Sequence, residues 1–332
     1  AAAVAAPALE RLWRKGVGGV LTSSAVDLGD AVAFGSRTGA VHCLVKADGA
    51  PRWNFKGPDG FGSSPATEGS RVYIGCYDGQ VFCLDARDGS RIWSYKTGGR
   101  VVSSPEITPD GAVLAGSYDG YLYCLSPEGD VRWRFNSGDR IWSSPVYCGG
   151  AVVFADVSGH IHCLDSRSGK PVWNKTAGGA IHGSPAGGDG FVYFGSGNGV
   201  VASLSLADGA VRWEYKGGSS VSSSIALGAG SVFAGYEDGS LVRLSEGDGR
   251  LLWKSKLPGP VRSRPVTAGD AVVLTCYDGL VRMLDIATGR TVSSYNAKGK
   301  IYATPLLASN ALYFGDMTGA FTALEITSPN TR

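Results

Sequence analysis

No stretch of these 332 residues is long and apolar enough to cross a bilayer, since none reaches the roughly 18 residues a membrane helix requires. Net charge is nearly absent: 31 Lys and Arg stand against 29 Asp and Glu. The charges are scattered through the chain, which excludes the basic stripe of a nucleic-acid binder. Histidine is scarce, and His42, His160, His162 and His182 show no HxxxH or HExxH spacing, so no metal site is expected. His160 and His162 are two apart and share one face of a strand. The seven cysteines are odd in number, with no CxxC and no adjacent pair, which argues against both a zinc ribbon and a disulfide framework. Unpaired thiols favour a cytoplasmic compartment, with a periplasmic or extracellular one as the alternative. The opening AAAVAAPALE lacks the basic region and long apolar core of a signal peptide, and residues 1–9 read as a linker or processed terminus.

Glycine is what the chain has in excess. Its 50 glycines are about 15% of the sequence, roughly double ordinary usage, beside an ample apolar fraction of 43%. Many tight turns around a real core are implied. Seven of the eight tryptophans, Trp13, Trp53, Trp93, Trp133, Trp173, Trp213 and Trp253, follow one another at a constant step of 40, and the next step lands on Ser293. A second marker keeps the same beat through TSSAV, GSSPA, VSSPE, WSSPV, HGSPA, SSSIA, RSRPV and YATPL. Between the markers lie eight pairs of short apolar runs joined by a turn ending in glycine, from Gly39 to Gly319.

Each repeat reads as four strands. In the second, A is GFGSSPAT, B is RVYIGC, C is QVFCLD and D is RIWSYK, and the Asp-Gly turn between B and C is a strong hairpin signal because it needs φ > 0. Four strands per 40 residues, eight times over, predict an all-β, eight-bladed β-propeller of antiparallel blades. The eighth repeat has no D strand of its own, whereas ERLWRK carries a D-type tryptophan with nothing before it. Glu10 to Lys15 is therefore expected to complete blade 8 and remove the open edge. Residues 10–327 form a single propeller in this reading, and 328–332 a tail.

The regular positions have packing explanations. One tryptophan per blade can wedge against the neighbouring blade, and small Ser and Gly in the SSP element let inner strands converge. Cys43, Cys83, Cys124 and Cys163 share one repeat position, as buried hydrophobes do, and Cys76 matches Cys276. No Gly-x-Ser-x-Gly elbow accompanies the recurrent serines, so a serine nucleophile is not expected.

The pattern SSP, VYxGSxDGxLYCLD and GxxxW resembles the PQQ-like, or quinoprotein-type, propeller repeat from Leu12 to Ile326. The resemblance implies the fold firmly and the function loosely. Such propellers occur in quinone-dependent alcohol dehydrogenases, in the lipoprotein scaffold of outer-membrane assembly, in kinase sensor domains, and at the C-terminus of β-alanine-activating, aminoadipate-semialdehyde-dehydrogenase-like adenylating enzymes. IGCYDGQVFCLD and IYATP are most similar to the last group. Quinoprotein dehydrogenases build their site from long inserted loops and often an adjacent-cysteine disulfide. Here every blade keeps nearly 40 residues and no Cys-Cys pair occurs.

Function is sought where the side chains stop repeating. The row from Leu21 to Ile301 stays apolar, while its neighbour reads Thr22, Gly62, Val102, Trp142, His182, Ser222, Arg262, Tyr302. Strand alternation puts the two rows on opposite faces. With Arg100, Arg140, Lys300 and Arg264 on the variable side, an aromatic and basic mouth is expected where chains enter strand A. The chain is thus read as a non-catalytic scaffold or recognition propeller, a monomeric ring that takes a protein partner, a carrier domain or an anionic ligand at that mouth. A larger adenylating enzyme is one setting for it. No cofactor is expected; a PQQ-and-calcium dehydrogenase or a small-ligand sensor is the alternative.

Overall fold

The computed structural model describes residues 7–327, and residues 1–6 and the 328–332 tail lie outside it. Eight four-stranded antiparallel sheets follow one another around a ring. In blade 2 the strands are Ala66–Glu68, Arg71–Gly75, Gln80–Asp85 and Arg91–Lys96, ordered A to D from the axis outward. All eight turn glycines of the B–C hairpins, such as Gly79 at φ 93°, occupy the left-handed region that their sequence signal demands.

Closure follows the expected route. Ala8–Gly16 pairs antiparallel with Ala320–Thr327 and forms the outer strand of blade 8, beginning two residues before Glu10. Arg14 donates to the fully buried Asp316 carboxylate at 3.0 Å, so the join carries an ion pair as well as a ladder.

The inner strands differ from the expectation. GFGSSPAT is not a strand along its length; only two or three residues after the proline position pair, as in Ala66–Glu68. The serines explain the difference, because they take over backbone bonds that a ladder would have made. The first serine of the element works within a blade: Ser63 Oγ accepts the Gly75 N–H at 2.8 Å and donates to the Gly75 carbonyl at 3.0 Å. The second works between blades. Ser24 N–H donates to Ser64 Oγ, Ser64 N–H to Ser104 Oγ, and so on through Ser144, Ser184 and Ser224, at 2.9 to 3.0 Å.

Tryptophan fastens the outer radius. Each repeat tryptophan donates to a backbone carbonyl 33 or 34 residues ahead in the next blade, as Trp53 Nε1 does to Ala86 O at 2.9 Å and Trp93 Nε1 to Pro127 O at 2.8 Å, and its ring lies on the glycine of that blade's C–D turn. A Cβ on Gly89 would stand 2.6 Å from Trp53 Cε3, and φ there is +74°. The missing beat at Ser293 now has a cause. Blade 8 is completed by a strand from the other end of the chain, so it has no C–D turn for a ring to cover. Ser293 Oγ instead accepts the Leu9 N–H of the closing strand at 3.2 Å.

Candidate functional site

The repeat converges on its axis, and the axis is open. A shaft of about 510 Å³ is lined by the variable row and the serine ring, and a mouth of about 390 Å³ adjoins it through Thr22, Gly62, Val102, Trp142, Arg262 and Tyr302. The apolar row is buried in the blades, from Leu21 to Ile301. The two rows therefore separate as expected, but on irregular backbone held by serine bonds, not on a regular strand.

A second variable row completes the mouth, and strand reasoning missed it. It comes from the tips of the B–C hairpins, two residues before the turn glycine: Arg37, Tyr77, Tyr118, Val157, Gly197, Glu237, Tyr277 and Met317. Reading those turns only as turns hid it; aligning the residue before the turn across repeats shows that it never settles. Seven of the eight tips are fixed against the rim by a backbone bond, for example Tyr77 N–H to Gly60 O and Tyr118 N–H to Arg100 O, both at 2.9 Å.

The tips and the rim interleave as cations on aromatic faces. Arg37 and Arg100 both lie over Tyr77, each 5.7 Å from the ring centre. Arg140 lies 5.8 Å over Tyr118, and Lys300 and Arg262 stand 4.6 and 5.1 Å over Tyr277. Trp142 is 44% exposed and sits between Tyr118 at 6.1 Å and His182 at 5.9 Å. Gly62 leaves room for this arrangement, since a Cβ there would fall 2.0 Å from the Tyr77 hydroxyl oxygen.

Charge is distributed unevenly around the ring. Arg262 is neutralised by Glu237, to which it donates twice at 2.9 and 3.0 Å, and that bond raises its pKa. Arg37, Arg100 and Lys300 have no carboxylate partner within 4 Å among the described residues, and Arg140 has only Asp139 at 3.8 Å. Lys300, Arg37, Arg100 and Arg140, from blades 8, 1, 3 and 4, thus form an arc of cations backed by tyrosine, of which only Arg140 has a carboxylate within 4 Å among the described residues. Blades 5 and 6 present Ala180, Gly197 and Ser220 at the matching places. Burial raises the pKa of Tyr118 and of Tyr302, which keeps both phenols protonated at neutral pH.

Of the eight residues expected at the mouth, Trp142, Arg262 and Tyr302 line both cavities, Arg100 lines the mouth and His182 the shaft. Arg140 and Lys300 stand at the rim on their tyrosines. Arg264 lies deeper than expected, at the level of the serine ring. The histidine pair is elsewhere, in blade 4, where His160 Nδ1 and His162 Nε2 approach the same oxygen of the buried Asp156 at 3.2 and 3.3 Å. No set of three metal-ligating side chains is assembled among the described residues, and the described residues contain no helix long and apolar enough to cross a membrane.

Residues 1–135, 118–227 and 218–331 match the family described as outer membrane protein assembly factor BamB. No curated protein sequence matches the chain. Among solved structures, BamB from Moraxella catarrhalis is 24% identical with a TM-score of 0.81, covering 96% of this chain and 98% of that one. The computationally designed Ika8 protein is 17% identical with a TM-score of 0.85, over 96% of this chain and all of that one. Quinohemoprotein alcohol dehydrogenase from Comamonas testosteroni is 13% identical with a TM-score of 0.81, over 96% of this chain and 76% of that one. These likenesses establish the ring and leave its use to the site.

Proposed function

The chain belongs to the PQQ-like propeller family described as outer membrane protein assembly factor BamB, and on that premise we propose that it is a recognition propeller gripping an acidic segment of a protein partner at its mouth. One observation carries the reading: four cations, Arg37, Arg100, Arg140 and Lys300, are stacked on tyrosines around an open cavity, three of them with no carboxylate within 4 Å among the described residues and Arg140 with only Asp139 at 3.8 Å. Stacking holds each side chain in place at little entropic cost and leaves the outward N–H groups free to bind carboxylates. Charge-assisted bonds of this kind contribute about 1.5–3 kcal/mol each when well formed. Trp142 adds an exposed apolar face at the blade 4 end of the arc, where a peptide side chain would stack.

The family description names an assembly factor and no reaction, which favours binding over turnover. A calcium-bound quinone, implied by the wider fold, is disfavoured by the donor set. It needs several carboxylate or amide oxygens around the ion, yet Glu237 is the one carboxylate lining the two cavities, and Arg262 occupies both its oxygens.

The test is a fluorescence-polarisation titration of a labelled glutamate- and aspartate-rich peptide. Wild type should bind it and lose affinity as salt is raised, since exposed cations are screened over a Debye length of about 8–10 Å. Arg100→Ala, Arg140→Ala and Trp142→Ala combined should weaken binding more than tenfold with an unchanged melting temperature. Affinity within twofold of wild type in that variant defeats the proposal.

A further inference from the structure

The ring of hydroxyls in the shaft is interrupted once. Seven of its eight positions carry Ser or Thr, and each of those oxygens accepts an N–H from the preceding blade. The eighth is Arg264. Its own N–H still donates to Thr304 Oγ1 at 3.0 Å, so the backbone follows the common path and only the side chain departs from the repeat. The exchange has a cost, because Ser224 N–H meets no hydroxyl in blade 7. A serine there would complete the circle. The chain instead places a guanidinium inside a cavity of about 510 Å³.

That guanidinium has no ion pair and no hydrogen bond among the described residues. Glu106, across the ring in blade 3, is the one charge that acts on it, and it lies beyond ion-pair distance with its Oε1 accepting the Tyr147 N–H at 3.3 Å. Arg264 is exposed to the open shaft, and the protein lining that shaft still lowers its pKa by desolvation. The surrounding groups are of complementary kind. Each ring hydroxyl uses its lone pair on the neighbouring N–H and keeps its own hydrogen unspent among the described residues. Thr22 Oγ1, in the same cavity, is buried without any partner.

We propose that Arg264, flanked by the hydroxyls of Ser224 and Thr304, forms a deep subsite for a small tetrahedral oxyanion, phosphate or sulfate, either free or as the end of a longer ligand. The fork of guanidinium N–H groups suits two oxygens of such an ion, and hydroxyl donors suit the others. This deepens the reading of the mouth by giving its ligand an end point inside the shaft, and it rests on that reading only for the route in.

Calorimetric titration of the protein with inorganic phosphate at constant ionic strength tests it. Saturable binding is expected for wild type, reduced at least tenfold by Arg264→Ser. That substitution rebuilds the hydroxyl circle, so its melting temperature should be equal to wild type or higher. The triple variant at Arg100, Arg140 and Trp142 should keep phosphate binding while losing the acidic peptide, which separates failure at the mouth from failure in the shaft. A peptide ending in phosphoserine then distinguishes the sources. If it binds more tightly than phosphate and depends on both Arg264 and the mouth, the oxyanion is a ligand terminus; if it binds no better, the ion is free. Absence of saturable phosphate binding, or an Arg264→Ser protein with wild-type affinity, overturns the proposal.

Discussion

Replacing Trp13 with alanine should loosen the whole ring, although the residue lies only a few positions from the start of the described chain. Its indole is 8% exposed, donates to Lys46 O at 2.8 Å, covers Gly49, and packs with Tyr313 and Phe321 at centroid distances of 6.1 and 6.2 Å. A large aromatic removed from such a setting costs about 3–5 kcal/mol. At roughly 2 °C per kcal/mol for a domain of this size, the melting temperature should fall by roughly 6–10 °C. Leu12 is the internal control, since it neighbours Trp13 but is 50% exposed, and Leu12→Ala should cost no more than about 0.5 kcal/mol. Deleting residues 1–16 goes further. It strips Asp316 of Arg14 and exposes Ala320–Thr327 as a long unpaired edge, so aggregation should accompany the lower melting temperature. Calorimetry on the three proteins decides the matter. If Trp13→Ala melts within a degree of wild type, or Leu12→Ala loses as much as Trp13→Ala, the closing strand does not hold the ring as described.

Other perturbations probe single layers of the design. Gly89→Ala should destabilise by more than about 2 kcal/mol and shift tryptophan emission, because its Cβ collides with the Trp53 ring at a positive φ; a neutral result in urea unfolding removes the tryptophan-on-glycine contact as a determinant. Ser104→Ala leaves the Ser64 N–H without its acceptor and should cost about 1–3 kcal/mol by the same assay. Burial pushes the thiols of Cys43, Cys83, Cys148 and Cys276 up to about 11 and those of Cys76, Cys124 and Cys163 up to about 12, from an ordinary 9.0. Folded pKa values above the unfolded one mean that the unfolded chain gives up protons first. Stability should hold below pH 9 and fall from there towards pH 12. At pH 8 a thiol reagent should find at most the half-buried Cys148 in the native protein and all seven thiols in denaturant; ready reaction of the other six in the native state contradicts this. Gly62→Ala displaces Tyr77 and with it the Arg37 and Arg100 stacks, so acidic-peptide affinity should drop several-fold without loss of fold.

Much of this architecture is readable along the chain because it repeats. The 40-residue beat of tryptophan and the glycine turns give the blades, and the unmatched D-type strand around Trp13 gives the closure. Two things escape such reading. The inner segment looks like a strand from its alternation, yet Ser63 and Ser64 carry its hydrogen bonds in place of a ladder, and whether a serine bonds its own backbone or the next blade depends on how the ring converges. The tyrosines at 77, 118 and 277 escape for another reason: next to Asp-Gly they look like turn residues, and only the curvature of the ring brings their faces beneath cations from the adjoining rim. Ser293 shows the converse. Its break in the tryptophan beat is plain in the sequence, but the cause is a hairpin that blade 8 lacks, which appears only once the two chain ends are paired.

The claim that the ring's individuality is gathered at one mouth is tested most directly by hydrogen–deuterium exchange with and without saturating acidic peptide. Protection is predicted in the rim and tip segments around residues 98–102, 118–120, 138–142 and 298–302, with the outer strands and the opposite face unchanged. Protection confined to the outer D strands or to the A–B hairpins, with the mouth exchanging as in the free protein, contradicts the account.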